Sequence, residues 1–600
     1  MVEVGGIPLL THQISLLKKY QINDIIILVN HLKQSIMDWY GDGQHMGVRI
    51  SYFEEPYPLG TVGGIKEIEQ TLDQDFLVLY GDIMVNMHLG RLISFHQKNV
   101  SECTLVLHPN DHPFDSDLVD TDDSGRVINF YSKPHDPEEY YPNQVNAGLY
   151  IFSPSLLKFL RKGEKADFGR DIFPKIFTKI NMFGYSTAEY LKDMGTPERL
   201  EEVEADYESG KIERASTENM QKAIFLDRDG VINEEISFIS KTEDMILYDF
   251  TAEAIRKINQ SEYKAIVITN QSVIARNLCT LEELKQIHNK METLLGRERA
   301  KIDGLYYCPH HPDKGYPEER TEYKIDCFCR KPKPGMLLDA AFDFNLDLAQ
   351  SFTIGDNQRD IEAGINAGCI TVGVMTGYGL KRSSIRPHFF FQNLLEAVNF
   401  ITGEPYKPIF EKILESHLKT PSIILIGGNA QTGKSTLASY LEWKLKMQNR
   451  KVLRIELDNW IIPEENRGKY MNVYDRFQLQ KIETDLQMIL TGIPVKMKTY
   501  PNHPERNPQP ILYTYSGQDS IIIDGVVGLS SEVLRDLAHF KLFVSMDRED
   551  HKKRICRYYQ WRGKTEGEIE KIYTSRQKDE YSLIEKESSF ADFVVTSTAT

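Results

Sequence analysis

The sequence predicts an α/β protein built as three consecutive doubly wound domains, and two observations carry the prediction. Apolar runs of strand length, among them DIIILVN, DFLVLYGD, CTLVLH and AGLYIF, alternate with charged stretches of helical periodicity such as ISLLKKY. Strands that alternate with helices pack into sheets covered by helices. Many of the runs then stop at an aspartate or a glycine-rich turn, as IFLDRDG, SFTIGD, SIILIGG and SIIIDG do. In open α/β sheets the ligand sites lie just beyond such strand ends.

Length and composition set the outer bounds. Six hundred residues, 41% of them apolar, suit three or four core-forming domains of roughly 150 residues each. A net charge of −16 argues against nucleic acid or an anionic membrane as a general partner, and leaves small phosphorylated sugars and nucleotides as expected ligands. No apolar run approaches the roughly 20 residues that span a bilayer. Met1 is followed by VEVGG rather than by a basic segment and an apolar core, so the expectation is a cytoplasmic protein. Seven cysteines make no disulfide framework, and the grouping of Cys308, Cys327 and Cys329 points to a metal instead.

The middle third, 221–402, carries the clearest chemistry. The strand-like run from Ile224 stops at Asp227 and Asp229. A later run, Ser351 to Ile354, leads into GDNQRD with Asp356 and Asp360, and AIVITN ends at Thr269 and Asn270. Asp227, Asp229 and Asp356, with the Thr269 hydroxyl, then face one pocket. One carboxylate can attack a phosphoryl group, a second can shuttle a proton, and a third can help hold Mg²⁺. The alternative is turn chemistry, which Asp and Gly favour anyway.

DRDGVIN, TNQS, CRKPKPGM and GDNQRDIEAG together resemble the haloacid dehalogenase (HAD) superfamily, specifically its heptose 1,7-bisphosphate phosphatases and the related histidinol-phosphate phosphatases, over roughly 222–401. The resemblance implies Asp227 as nucleophile, Asp229 as acid/base, and Thr269 and Lys331 as phosphate stabilisers. Asn270 lies with them on the substrate side. Asp356, Asp227 and the backbone carbonyl of Asp229 would surround Mg²⁺. The family usually has glycine after TNQS, where this chain has Val273.

In the same domain CPHHPDKG and CFCRKPKPG supply Cys308, His310, Cys327 and Cys329, a C-x-H and a C-x-C pair with sixteen residues between them. Such a Cys₃His set suits tetrahedral Zn²⁺, which would organise a polar, proline-rich loop and leave no open position for catalysis. Reduced surface thiols beside an incidental histidine are the alternative. His311 is then a bystander or a substrate contact. Arg330 offers a planar donor fork for a second phosphate, although a surface arginine is the commoner fate. The segment HFFFQNLLEAVNFI, 388–401, reads as apolar at helical spacing and closes the domain, with TGEPYKP as linker.

In the first domain, 1–215, the segments VGGIPLLTHQISLLKKY, EEPYPLGTVGGI, LYGDIMVN, NAGLYIF and YLKDMGTPERL resemble sugar-1-phosphate nucleotidyltransferases. That implies Asp82 and Asp193 as holders of a catalytic Mg²⁺, and Gly60 near the base. Lys133, Asn146 and Gly148 would lie in the sugar-phosphate pocket. Both aspartates also fit strand-end turns. The family's first strand and glycine-rich loop should precede VEVGG, so the expectation is a domain lacking them. The charged stretch Glu198–Met220 reads as a terminal helix and linker.

The last domain, 406–600, opens with SIILIGGNAQTGKST, a strand followed by Gly428-x-x-x-x-Gly433-Lys434-Ser435-Thr436. Backbone amides of such a P-loop cradle the phosphates of ATP, the lysine neutralises them, and Ser435 reaches Mg²⁺. Asp458 and Asp524 each end a later strand-like run. The region resembles the uridine kinase and phosphoribulokinase group, which implies Asp458 as the base for an acceptor hydroxyl and Asp524 on the Mg²⁺ side. RICRYYQWRGK resembles that group's lid, with Arg554, Arg557 and Arg562 as phosphate contacts, or else an ordinary solvated basic helix. An acidic residue usually follows the lid's second arginine, where Tyr558 stands. A kinase, a bisphosphate phosphatase and a nucleotidyltransferase are, by the resemblance, three consecutive steps of nucleotide-activated heptose synthesis. Two other readings stay open. One is a histidinol-phosphate phosphatase fused to a different kinase. The other makes the flanking domains nucleotide sensors or scaffold.

Overall fold

The computed structural model describes residues 2–31, 33–313, 319–415, 421–463, 466–468, 471–500 and 508–597. Lys314 and Gly315 of CPHHPDKG, and the last residues of the kinase domain, lie outside them. The chain divides into two compact units, Met1–Thr353 with Glu362–Ile370, and Ile354–Ile361 with Thr371–Thr600. The boundary falls inside one strand, Phe352–Gly355.

The N-terminal part is built on a mixed six-stranded sheet. The long strand Val145–Phe152 runs antiparallel to Cys103–His108 on one side and to Phe76–Leu79 on the other. Its buried face carries Tyr150 and Phe152, which pack with Phe168 and Phe173. A separate parallel pair, Asp24–Val29 with Arg49–Glu54, forms a two-stranded sheet of its own. Among the described residues Asp24–Val29 and Phe76–Leu79 each pair along one edge only, and Ile25, Ile26, Ile27, Leu77, Val78 and Leu79 stay half-exposed. The charged stretch after Gly195 forms the helices Pro197–Glu208 and Lys211–Arg214, anchored by buried Val203 and Ile212.

The next sheet has the strand order Gly304–Cys308, Tyr263–Asn270, Lys222–Leu226, Phe352–Gly355, Ile370–Val374, Phe389–Phe391. In chain order this is 3-2-1-4-5-6, so the winding direction reverses between Lys222–Leu226 and Phe352–Gly355. That reversal is where a doubly wound sheet opens a crevice for ligands. Phe389–Phe391 is an edge strand parallel to Ile370–Val374, and the helical spacing of 388–401 is realised only from Leu394. Consecutive aromatics favour a strand, and the helix Leu394–Thr402 starts only at Asn393, whose side chain caps it by accepting from the Glu396 amide. The last sheet is parallel throughout, in the order Val452–Glu456, Ser520–Asp524, Ser422–Gly427, Phe540–Met546, Phe593–Ser597. Among the described residues no helix is long and apolar enough to cross a membrane.

Within the first unit, the helix Leu281–Arg297, started by a Thr280/Glu283 capping box, ties the two sheets together. Thr293 Oγ1 accepts from the Tyr141 amide at 2.9 Å, Glu292 Oε2 accepts from the Asn143 amide at 2.9 Å, and Lys285 pairs with Asp120 at 2.6 Å. Burial, which the Asn143 hydrogen bond only partly offsets and the Asp120 charge adds to, raises the Glu292 carboxyl to about 7. The folded chain therefore holds a proton there that the unfolded chain has lost, and stability declines as pH rises from the ordinary carboxylate range through about 7. Glu292→Gln removes that loss: its thermal midpoint should exceed the native protein's at pH 8 and converge with it near pH 5, measured by circular dichroism.

Candidate active site

The strand Lys222–Leu226 is buried along Ala223–Leu226 and delivers Asp227 to the crevice. Lys331 Nζ reaches the Asp227 carboxylate at 2.8 Å and is itself 1% exposed in its side chain. A buried ammonium persists only with such partners, and Lys331 also donates to the Ile268 carbonyl at 2.9 Å. Asn270 fixes it from the main chain. Its Oδ1 accepts from the Lys331 amide and its Nδ2 donates to the Lys331 carbonyl, both at 3.0 Å. Asn270 is thus a brace for Lys331.

Asp229 accepts four hydrogen bonds. Arg228 donates to both of its oxygens at 3.0 Å, and Asn233 and Gln271 donate one each at 3.0 Å. Gln271 also donates to Thr269 Oγ1 at 2.9 Å, which links the predicted phosphate stabiliser to the predicted acid/base. Arg228 has no exposed surface. Sequence reasoning missed Arg228, Asn233 and Gln271 as a network although they lie inside the quoted motifs, because nothing in their spacing shows which carboxylate they meet.

Asp356 and Asp360, which follow the strand Phe352–Gly355, each offer a carboxylate oxygen. Asp356 and Asp360 are each 1% exposed. Hard oxygen donors suit a small divalent cation. Asp360 was outside the expected ligand set. Its approach depends on Gly355, where a Cβ would stand 2.2 Å from the Asp360 Cβ.

Cys308, His310, Cys327 and Cys329 converge as the spacing predicts. The three Sγ atoms are 3.2 to 3.5 Å apart, and His310 Nδ1 is 3.4 and 3.7 Å from Cys329 and Cys308. Four ligands about 2.3 Å from a tetrahedral centre would be spaced by about 3.7 Å. The hydrogen-bond contact with Cys308 pulls the Cys329 thiol down to about 5, and the same contact with burial pushes Cys308 up. All three ionise together only around a cation. Arg330 donates to the His310 carbonyl at 2.8 Å, so it braces this loop. His311 meets Arg276 at 3.2 Å. Val273 is buried against Ile274, Cys279 and Leu284.

In the N-terminal sheet, Tyr190–Asp193 runs antiparallel to Ile83–Asn86 with Asp193 opposite Ile83, which brings Asp193 beside Asp82. Burial, and further the Asp193 charge, raise the Asp82 carboxyl. Asp193 also pairs with Arg199 at 2.5 Å. Gly148 is left-handed (φ +71°) and packs under Tyr80 and Ile83, and Gly60 (φ +74°) abuts the Ala166 carbonyl. Lys133 donates to the Asp115 carbonyl at 2.7 Å, and the Asn146 amide donates to the Asp117 carbonyl at 3.0 Å.

In the last domain Gly428 (φ +141°) would place a Cβ 2.3 Å from the Val544 carbonyl, and Gly433 (φ +99°) leads into the helix Lys434–Met447. Lys434 is buried and donates to the Asn429 carbonyl at 2.6 Å, while Ser435 is exposed and Thr436 half-buried. Burial raises Asp458 to about 6 against the opposing charge of Lys434. Asp524, 2% exposed, is held by Arg454 at 3.0 Å. Two further groups clasp the loop: His551 Nε2 bonds the Ala430 carbonyl at 2.7 Å, and Glu580 accepts from the Ala430 amide at 3.2 Å. No sequence signal marks either one. Arg557 is exposed, and Arg562 meets the Tyr558 hydroxyl at 3.3 Å. Arg554 departs from expectation. It is buried against Glu396 at 2.8 Å, so its guanidinium is committed to a carboxylate within the fold.

Residues 1–210 match the nucleotidyl transferase family model, 328–397 the HAD-like hydrolase model and 423–600 the phosphoribulokinase and uridine kinase family model. The chain is therefore a HAD-type phosphatase fused between a nucleotidyltransferase domain and an ATP-dependent kinase domain. Over its central part it belongs to the D-glycero-D-manno-heptose-1,7-bisphosphate 7-phosphatase family. It is 35% identical to the α-anomer 7-phosphatase of Burkholderia mallei over 182 residues, 30% of this chain and 94% of that protein. To the β-anomer 7-phosphatase of Haemophilus influenzae it is 40% identical over 148 residues, 25% of this chain and 78% of that protein. It is 32% identical to the mannose-1-phosphate guanylyltransferase of Mycobacterium tuberculosis over 213 residues, 35% of this chain, and spans only 58% of that protein.

Asp229→Asn leaves the buried Arg228 guanidinium without its counter-charge. Stability should fall by about 3 kcal/mol, read as a lowered thermal midpoint, while Asp229→Glu recovers part of the loss.

Proposed function

We propose that this chain is a multifunctional enzyme of nucleotide-activated heptose synthesis, with domains at 1–215, 221–402 and 406–600, whose central domain removes the C7 phosphate of D-glycero-D-manno-heptose 1,7-bisphosphate. The meeting of Asp227 with the buried Lys331 at the end of a buried strand supports this reading most. Asp227 attacks phosphorus, the bond from phosphorus to the C7 oxygen breaks, and Asp229 gives its proton to the departing oxygen. A water deprotonated by Asp229 then attacks the aspartyl-phosphate, releases phosphate and restores Asp227. Lys331 and Thr269 hold the phosphoryl oxygens. Mg²⁺ at Asp227, Asp356 and Asp360 would supply the remaining neutralising charge. Zn²⁺ at Cys308, His310, Cys327 and Cys329 would shape the loop carrying Arg330 and Lys331.

The kinase domain, in this reading, binds ATP on Gly428–Thr436 with Asp524 towards Mg²⁺, and Asp458 draws the proton from a sugar hydroxyl. Asp82 and Asp193 would hold Mg²⁺ for nucleotidyl transfer. The protein acts on small phosphorylated sugars and nucleotides in the cytoplasm.

The phosphatase is tested by phosphate release from the α and β anomers of the bisphosphate, since both kinds of 7-phosphatase are relatives. Native protein with Mg²⁺ should hydrolyse at least one, and Asp227→Asn should fall to background. Release from histidinol phosphate alone would refute the heptose assignment. For the kinase, Asp458 works ionised and its carboxyl sits at about 6, so kcat/KM for ATP-dependent phosphorylation should rise with pH and level off above about pH 7. Asp458→Asn should abolish turnover and spare ATP binding.

A further inference from the structure

The carboxylate Asp356, read above as a metal ligand, is held by a loop of its own domain that a kinase helix in turn supports. Its Oδ2 accepts from the Tyr378 amide at 2.5 Å, and its main-chain carbonyl accepts from the Leu380 amide at 2.8 Å. Both donors belong to a short loop in an unfavourable conformation. Gly377 and Gly379 are left-handed (φ +59° and +62°), and so is Leu380 (φ +54°), a residue that rarely adopts that region. A backbone held there costs free energy and persists only where its surroundings over-determine it.

The surroundings are on a kinase helix. Trp561, at the end of the helix Arg548–Trp561 and 6% exposed, donates its indole N–H to the Gly379 carbonyl at 3.0 Å. Its ring packs on Phe390 with centroids 5.4 Å apart. A Cβ at Gly379 would stand 2.7 Å from both the Met375 carbonyl and Trp561 Nε1, so the contact is close enough to exclude any side chain. The helix cannot drift from this position. Arg554 on it is paired with Glu396 at 2.8 Å, and its carbonyl accepts from Gln392 at 3.2 Å, all buried.

We propose that Trp561 is a positioning residue for the phosphatase: through the Gly379 carbonyl it holds the Tyr378 and Leu380 amides on Asp356 and so presets that carboxylate for its cation. The proposal rests on the reading of Asp356 as a metal ligand. It makes the phosphatase metal site depend on a helix that also carries Arg557, next to the P-loop clasp His551, so the two activities are mechanically joined at one helix.

The test uses the full-length protein and Mg²⁺ titrated by calorimetry, with Asp356→Asn as the reference that isolates the binding at this site. Trp561→Phe keeps the ring against Phe390 and removes the N–H. The expected result is a roughly fivefold weaker Kd for the Asp356-dependent component, the equivalent of one net hydrogen bond. The Mg²⁺ needed for half-maximal phosphate release should shift in parallel, and kcat should recover at saturating Mg²⁺. A lowered thermal midpoint with unchanged Mg²⁺ affinity would show a merely structural tryptophan and overturn the proposal. Unchanged Mg²⁺ binding in Asp356→Asn would overturn the metal-site reading itself and the proposal with it. Should Trp561→Phe not fold, Gln392→Leu releases the same helix at the Arg554 carbonyl and should weaken Mg²⁺ in the same direction; no change there overturns the proposal.

Discussion

Burying negative charge at the ends of parallel strands is the constraint on which the rest of this structure depends. A strand end in a doubly wound sheet is where a ligand can be reached, but a carboxylate placed there loses water and must recover the loss from a neighbour. The chain answers with one cation per carboxylate. Lys331 faces Asp227, Arg228 faces Asp229, and Arg454 faces Asp524. Where the cation is too weak or too far, the carboxyl shifts: Lys434 opposes the rise of Asp458 without cancelling it. Asp356 and Asp360 are buried hard oxygen donors, which suit a divalent ion.

The strand ends themselves were legible. An apolar run closing on an aspartate, as at Leu226–Asp227 and Ile523–Asp524, marks both a buried strand and a polar residue at its mouth, and the P-loop spacing marks a backbone that only Gly428 and Gly433 can adopt. The partners were not legible, because they come from distant segments and from chemistry that has no fixed spacing. Asn270 braces Lys331 across 61 positions of chain, and Glu580 reaches the P-loop amide of Ala430 across 150. Arg330 looks in sequence like a donor fork beside Lys331, and one of its N–H groups meets the His310 carbonyl. The triple phenylalanine was legible as a buried strand or helix, but not as which of the two. Apolar periodicity cannot separate a short buried strand from the helix that follows it, and the decisive signal was the cap at Asn393.

The Cys₃His cluster and the Asn270–Lys331 brace belong to one device. Cys327 and Cys329 lead into Arg330 and Lys331, so whatever fixes the two sulfurs also fixes the start of the segment that carries the nucleophile's counter-charge. Lys331 is locked by its main chain to Asn270 and by its side chain to Ile268 and Asp227. A lysine constrained at both ends stabilises developing phosphoryl charge without first paying to be ordered.

A comparable economy governs the kinase helix Arg548–Trp561. In isolation a helix with so many basic residues would serve as a solvated lid, and its arginines would be interchangeable. Here its faces are committed to different tasks. His551 turns to the P-loop carbonyl of Ala430, Arg554 is spent on Glu396, Trp561 holds the Gly379 carbonyl, and Arg557 lies exposed. Because Arg554 and Trp561 bury their polar groups against partners outside the kinase sheet, moving the helix would strand a guanidinium and an indole N–H away from water, a cost of several kcal/mol. A nucleotide that closes this site therefore has to do so by moving the exposed arginine and the chain that follows it, with the helix as a fixed post rather than a hinge.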